Sequence, residues 1–228
     1  MELRVDRRGC ESVVLDFDGT MCLLFQNHDL AATRHRMREE LGRFSIDFDE
    51  ALDAFDAFDA VLAQTADRPE TRAEALLKAD EILSDAEVAA AGTGPAVTGV
   101  AEAVDFWRGA GYRVGVATNN SARAVDAFLS RMSIRQLPVV GRDGAHPERL
   151  KPSTWSVERV LELMGGRPEA TVFVGDTRRD YETSLRAGCA FLGMVPTERK
   201  RVRLSAALDE GLMARDYPEL LRRFFGRS

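Results

Sequence analysis

The stretch Val13-Val14-Leu15-Asp16-Phe17-Asp18-Gly19-Thr20 decides the fold. Its apolar start predicts a buried β-strand, and its Gly-Thr end predicts a turn that takes the chain away. The carboxylates of Asp16 and Asp18 are two residues apart, so they point to the same side at the C-terminal end of the strand. Open α/β sheets bind ligands there. Two crowded acids need a compensating charge, most simply a divalent cation, which indicates phosphate chemistry on a metal.

A strand that ends in a turn would explain this segment equally well if it stood alone. Three later segments also place a polar group at a strand end or a helix start: Val114-Gly115-Val116-Ala117-Thr118-Asn119-Asn120, Leu150-Lys151-Pro152, and Val172-Phe173-Val174-Gly175-Asp176-Thr177-Arg178-Arg179-Asp180. In order and spacing, the four segments resemble the motifs of the haloacid dehalogenase superfamily of phosphohydrolases, and among these the phosphoglycolate phosphatase-like members. The resemblance covers nearly the whole chain apart from the segment after the first motif.

The resemblance implies a role for each acid of the first motif. Asp16 would be the nucleophile that forms an aspartyl-phosphate. Asp18 would protonate the leaving oxygen and then activate water. Ion-pumping ATPases of the superfamily carry Thr at the second position and the dehalogenases lack this acid, so Asp18 favours a phosphatase or a phosphomutase.

The other segments would bind the phosphoryl group. The Thr118 hydroxyl and the amide of Asn119 could donate hydrogen bonds to its oxygens, although Thr-Asn-Asn is also an ordinary turn sequence. The resemblance makes Lys151 the ammonium that offsets the negative charge of Asp16 and phosphate. Without that context, a lysine before a proline is typically a surface residue.

A magnesium site is the expected cofactor site. Mg²⁺ prefers oxygen ligands and keeps waters, and the family pattern implies a carboxylate oxygen of Asp16, the backbone carbonyl of Asp18 and a carboxylate oxygen of Asp176. Asp180 would hold a metal-bound water or Lys151. It also fits the role of an acid at a helix N-terminus, and the two roles are compatible.

The pattern after residue 97 predicts the fold class. Apolar strands alternate with amphipathic helices, which predicts an α/β fold with a Rossmann-like parallel sheet covered by helices on both faces. About five strands are expected, near residues 12–17, 112–117, 137–140, 171–175 and 190–195. Residues 1–20 and 93–228 would form this core domain.

Residues 21–92 are predicted to form a small all-helical cap domain. One helix is expected around Met37, a second along the stripe from Phe48 to Leu62, and a third from Ala75 to Leu83. Gly92 would begin the linker that returns to the core. The two connectors could act as hinges, and closure of the cap could exclude water.

One apolar segment and two basic segments lie outside the four motifs. The apolar run 21–25 follows the first motif where the family's common phosphatases differ, which suggests a substrate other than phosphoglycolate. Arg34, His35, Arg36 and Arg38 could supply positive charge to a substrate, but a solvated helix face is the favoured interpretation. The basic run Arg199, Lys200, Arg201 and Arg203 is interpreted as a solvated helix rather than a nucleic-acid patch, because the chain is acidic overall.

Composition sets the remaining limits. The 228 residues suit one large domain or a core with a smaller one, and the net charge of −6 argues against a general nucleic-acid or membrane binder. Three cysteines without a CxxC pair favour a reducing compartment. Residues 1–8 lack the apolar core of a leader peptide, and no stretch is long enough to span a bilayer. A cytoplasmic monomer or homodimer is expected.

The sequence therefore predicts a Mg²⁺-dependent phosphatase that acts on a small phosphorylated metabolite. A phosphomutase with the same chemistry remains an alternative, as does a non-catalytic binding or regulatory module of the same fold. Degenerate modules would be expected to lose the nucleophile, the lysine or the metal acid, all of which are present. A dinucleotide-binding protein is disfavoured because no GxGxxG turn follows the first strand.

Overall fold

A single parallel sheet organises the protein. The structure is a computed structural model that describes residues 9–226; the expectation for residues 1–8 lies outside the described residues. The strands are β1 Ser12–Leu15, β2 Arg113–Ala117, β3 Val139–Val140, β4 Thr171–Gly175, β5 Ala190–Met194 and β6 Met213–Ala214. Their order is β3-β2-β1-β4-β5-β6. The strand order reverses beside β1, so the C-terminal end of β1 opens into the crevice where such sheets bind ligands.

Nine α-helices are present in the described part of the chain. They are α1 Ala31–Gly42, α2 Asp56–Gln64, α3 Pro69–Thr93, α4 Val100–Gly109, α5 Ala122–Arg131, α6 Trp155–Met164, α7 Arg178–Arg186, α8 Glu198–Ser205 and α9 Tyr217–Phe224. Ser121 caps α5 by accepting a hydrogen bond from the Ala124 amide.

Alternating side chains of the central strands supply two hydrophobic layers. Val13 and Leu15 of β1 face a layer that includes Trp107 of α4 and Phe128 of α5. Val14 faces the opposite layer, with residues of α6 and Phe173. Helices therefore cover both faces, and the prediction of a Rossmann-like parallel α/β sheet is confirmed. The sheet has one strand more than the expected five, the two-residue strand β6.

Residues 21–92 contain three helices and no β-strand longer than an isolated bridge. The expected helix over the stripe from Phe48 is wrong in its first half, since α2 begins only at Asp56. The Asp49 and Asp53 side chains accept hydrogen bonds from the backbone amides of Ala51 and Phe55. Such turns compete with a helix.

The two connectors run side by side. The Leu23 amide donates to the carbonyl of Pro95, and the Val97 amide donates to that of Met21. Met21 and Leu24 are fully buried in the core, and Leu23 and Phe25 pack against it, so the apolar run 21–25 belongs to the core. Helix α3 continues to Thr93, past the expected linker. Within the described residues, no helix is long and apolar enough to cross a membrane.

Candidate active site

A pocket of about 140 Å³ lies at the C-terminal ends of β1, β2 and β4. We call it the acidic pocket. All seven residues that the sequence nominates line it: Asp16, Asp18, Thr118, Asn119, Lys151, Asp176 and Asp180. They come from four separate segments that the parallel sheet brings to one edge.

Lys151 lies between two carboxylates. Its Nζ is 2.5 Å from Oδ1 of Asp16 and 2.5 Å from Oδ1 of Asp180, and 4% of its side chain is exposed. Burial favours the neutral amine, but the two carboxylates outweigh this effect and raise the pKa of Lys151 above its ordinary value. The lysine is therefore charged, and one ammonium serves both acids.

Asp16 is held at the end of β1 by a hydrogen bond of 2.9 Å from its amide to the carbonyl of Val174. Its carboxyl is almost completely buried. Burial raises the pKa of Asp16 to about 6 against the opposing effect of the Lys151 ammonium. Desolvation of this kind leaves a carboxylate poorly stabilised and hence reactive toward an electrophile.

Asp176 has a buried carboxylate oxygen that the described residues leave unpaired. Its Oδ1 is buried and has no hydrogen-bond partner among the described residues, while its Oδ2 contacts the ammonium of Lys200. Burial raises the pKa of the Asp176 carboxyl despite that ammonium. A buried oxygen without a partner is costly, so this atom requires a donor or a cation.

The donors around Asp176 fit a magnesium ion. One carboxylate oxygen each from Asp16, Asp176 and Asp180 lie within 4.8 Å of one another, and all three residues are buried. Hard oxygen donors are the ligands that Mg²⁺ prefers. The Asp18 carboxylate is not a member of this group; it lines the pocket, and its Oδ1 accepts a hydrogen bond of 2.9 Å from the Leu24 amide. The ligand expected from Asp18 is its backbone carbonyl.

Asp180 contacts both Lys151 and the start of α7. Its Oδ1 contacts Lys151, and its Oδ2 accepts hydrogen bonds from the amide and the hydroxyl of Thr177 at the start of α7. The Thr177 hydroxyl in turn accepts from the Asp180 amide, which completes a capping box. Burial opposes ionisation, but Lys151 and Thr177 outweigh it and lower the pKa of Asp180. The hydrogen bonds at the start of α7 thus fix the Asp180 carboxylate, which in turn orients Lys151.

The residues after β2 line the opposite wall. The Thr118 hydroxyl donates a hydrogen bond of 3.1 Å to the side-chain oxygen of Asn120 and accepts one of 3.2 Å from the Asn120 backbone amide. The Asn119 side chain accepts from the Lys151 amide at 2.8 Å and donates to the Lys151 carbonyl at 3.4 Å. Asn119 therefore positions the backbone of Lys151, a function that the sequence did not suggest.

A buried ion pair lies behind this wall, and it too was not predicted from the sequence. Glu87 of α3 accepts hydrogen bonds from the Asn120 side chain and the Ser121 amide. Its carboxylate also pairs with Arg142 at 2.8 Å, and both side chains are fully buried. The Arg142 guanidinium stacks on the ring of Phe55, which lines the acidic pocket. No local motif marks this pair, because its members are 55 residues apart.

The remaining basic residues considered in the sequence analysis do not line the acidic pocket. Arg34, His35 and Arg38 contact Glu50, outside the acidic pocket, and Arg36 does not line the pocket either. Lys200, interpreted as part of a solvated helix, instead reaches Asp176. The only signal for Lys200 in the sequence was its position in a basic run after a strand.

The matching family model is that of the haloacid dehalogenase-like hydrolases, which aligns with residues 10–188. A phosphoglycolate phosphatase of Pseudomonas putida is 27% identical over 189 residues, which cover 80% of this chain and 68% of that protein. The pyrophosphatase PpaX of Bacillus mycoides is 28% identical over 107 residues, 47% of this chain. The match spans only 50% of the Bacillus protein's length.

The fold has solved counterparts. The crystal structure of a predicted phosphatase from Clostridium acetobutylicum aligns over 96% of this chain and 100% of its own, with a TM-score of 0.65 and 15% identity. This likeness extends over helices and sheet together and supports the architecture.

Proposed function

The chain belongs to the haloacid dehalogenase-like hydrolases, and from this premise we propose that it is a Mg²⁺-dependent phosphatase. Its substrate would be a small phosphomonoester and its intermediate a phosphorylated Asp16. The observation that carries the proposal is the Lys151 ammonium shared between Asp16 and Asp180, opposite the unpaired oxygen of Asp176. Relatives named as phosphatases agree with this reaction class.

In the first step, Asp16 attacks the phosphorus atom while the bond between phosphorus and the leaving oxygen breaks. Asp18, half-buried at the pocket wall, gives its proton to that oxygen. Burial raises the pKa of Asp18 although Lys200 is nearby, and a raised pKa favours the protonated form that acts as the general acid. Asp18 then takes a proton from water, which attacks the phosphorus and frees Asp16 with release of inorganic phosphate.

The remaining residues stabilise charge and position. Lys151 keeps Asp16 ionised and offsets the charge that builds up on the phosphoryl oxygens. Thr118 and the Asn119 amide are proposed as hydrogen-bond donors to those oxygens. Asp16, the Asp18 carbonyl and Asp176 would hold Mg²⁺, whose charge would offset that of the phosphoryl oxygens.

We also propose the domain division suggested by the sequence, with residues 21–92 as a cap over a core formed by the rest. A separate hydrophobic cluster, with Met37, Phe58 and Ile82 among its members, supports this division. The end of α3 packs into the core through Ala90 and Ala91, so the boundary on that side would lie within the helix.

The test is inorganic phosphate release from a panel of phosphomonoesters that includes p-nitrophenyl phosphate, with Mg²⁺ or with EDTA. We expect Mg²⁺-dependent turnover in the wild type and none in Asp16→Asn. Folded wild-type protein that binds Mg²⁺ yet releases no phosphate from any ester would refute the proposal. Phosphate that moves to a second hydroxyl of the substrate instead of to water would indicate a mutase.

A further inference from the structure

A second cleft, of about 850 Å³, adjoins the acidic pocket. We call it the basic cleft. The two cavities share Asp176, Thr177 and Arg179 as a common wall. The far wall of the basic cleft is α8, which contributes Arg199 and Arg203 among others. A substrate whose phosphate lies in the acidic pocket would extend past Arg179 into this space.

The charge of the basic cleft is strongly one-sided. Five cationic side chains line it, namely Arg178, Arg179, Arg199, Lys200 and Arg203, against one carboxylate, that of Asp176. This occurs in a chain whose net charge is −6. General solvation of a basic protein therefore does not explain the accumulation of positive charge here.

Three of these cations have no protein partner. Within residues 9–226, the guanidiniums of Arg179, Arg199 and Arg203 make no hydrogen bond and no ion pair. Arg201, on the same helix but outside the cleft, pairs with Glu198 and with Glu210 at 2.6 Å each. On α8, Arg201 is therefore neutralised by acidic side chains, whereas Arg199 and Arg203, which line the basic cleft, are not.

The unpaired arginines of α8 destabilise the helix. Arg199 and Arg203 are four residues apart and lie on the same face of α8, and like charges at this spacing repel each other. Arg179 adds a third guanidinium from the start of α7. An anion bound between the three would remove the repulsion. Guanidinium groups bind phosphate through paired hydrogen bonds, and a dianion matches three positive charges better than a single carboxylate does.

We propose that the basic cleft binds a second phosphate group, on the leaving-group side of the substrate, and that the physiological substrate is a bisphosphorylated metabolite. The inference rests on the proposed function. Water would replace the alcohol on the phosphorus in the acidic pocket, the proton would go to the departing oxygen, and the second phosphate would stay on the product unchanged. Arg179, Arg199 and Arg203 select the substrate, whereas Asp16 and its neighbours carry out the reaction.

The test compares sugar monophosphates with the corresponding bisphosphates, and adds p-nitrophenyl phosphate and phosphoglycolate. We expect kcat/KM for at least one bisphosphate to exceed that for its monophosphate by tenfold or more. In an Arg199→Gln/Arg203→Gln variant this preference should fall at least tenfold, mainly through KM. The matched control is Arg201→Gln, on the same helix but outside the cleft, which should retain the preference.

The outcomes separate the two proposals. If p-nitrophenyl phosphate is hydrolysed but no bisphosphate is preferred, the second-phosphate site is wrong and the phosphatase stands. A preference for phosphoglycolate over every bisphosphate would likewise overturn it in favour of a carboxylate site. If no ester is hydrolysed, titration calorimetry with the same mono- and bisphosphates still decides: equal affinities overturn the inference, and tighter bisphosphate binding that is lost in the double variant supports it.

Discussion

The acidic pocket and the basic cleft share a wall but are built in opposite ways. In the pocket, the charges are buried and held by one another, as Lys151 is between Asp16 and Asp180. In the cleft, the guanidiniums of Arg179, Arg199 and Arg203 are exposed and unpaired within the described chain. Buried, mutually neutralised charges fix a geometry before any ligand arrives, whereas exposed unpaired charges gain a partner only from the ligand.

The contrast predicts how substitutions will act. A change in the acidic pocket should affect all substrates alike, because it alters the reacting geometry. A change in the basic cleft should affect only substrates that reach it. The four predictions below test this division, beginning with the largest expected effect.

Lys151→Met should lower kcat by about 10³-fold for monophosphates and bisphosphates alike, since removal of one preorganised charge from an active site typically costs this much. It should also lower the free energy of unfolding by about 3 kcal/mol, because Asp16 and Asp180 are left buried without a counter-charge. Phosphate-release kinetics and chemical denaturation measure the two effects. Lys78→Met, which removes a lysine with 35% of its side chain exposed, is the control. A loss of kcat confined to bisphosphates would contradict the idea that residues of the acidic pocket act on all substrates alike.

Arg142→Met should destabilise the protein by about 3 kcal/mol, since it leaves Glu87 buried without its cation. Because Arg142 also stacks on Phe55, kcat should fall for every substrate by a similar factor. Adding Glu87→Gln to Arg142→Met should restore part of the stability, as measured by a double-mutant cycle in denaturant. If the stability losses of Arg142→Met and Glu87→Gln simply add in the double variant, then the pairing of these two residues does not hold α3 against the wall of the pocket.

Lys151 and Arg142 also differ in how far their roles could be predicted from the sequence. Lys151 was predicted because its segment resembles, in order and spacing, a motif of the superfamily whose other motifs stand at strand ends, and a parallel sheet brings such ends together. The same reasoning found Asp16, Asp176 and Asp180. The pairing of Arg142 with Glu87 leaves no local pattern, because it depends on how α3 lies against the loop after β3.

The sequence was least informative where polar side chains compete with periodicity. The apolar stripe from Phe48 resembles a helix, but Asp49 and Asp53 form turns with the backbone and delay α2 to Asp56. Lys200 was missed for a related reason: a basic run on a helix is usually solvated. Only the tertiary structure shows that one of its members turns inward to Asp176 while its neighbours line a cleft.

Lys200→Met should reveal how Asp176 is neutralised without a metal. Removal of this partly exposed ammonium leaves a buried carboxylate uncompensated and should cost about 1 kcal/mol, or about 3 °C in Tm for a protein of this size. Mg²⁺ would supply the missing charge, so the addition of MgCl₂ should raise Tm more in the variant than in the wild type. Thermal unfolding in EDTA and in MgCl₂ measures the difference, with Arg201→Met as the control on the same helix. Equal Mg²⁺-induced shifts in Lys200→Met and wild type would show that Lys200 and the metal act at separate places.

Salt should distinguish the two regions by a smaller but more selective effect. At 0.5 M NaCl the Debye length falls to roughly 4 Å, so exposed charges such as Arg199 and Arg203 are screened, whereas the buried contact of Lys151 with Asp16 is screened much less. The KM for a bisphosphate should therefore rise about threefold more than the KM for p-nitrophenyl phosphate between 0.05 and 0.5 M NaCl. Initial-rate kinetics at fixed Mg²⁺ measure both, with sodium acetate replacing NaCl as a control for specific chloride binding. Parallel changes for the two substrates would mean that the cleft's charges do not contact the substrate, and selectivity would then have to come from the walls of the acidic pocket itself.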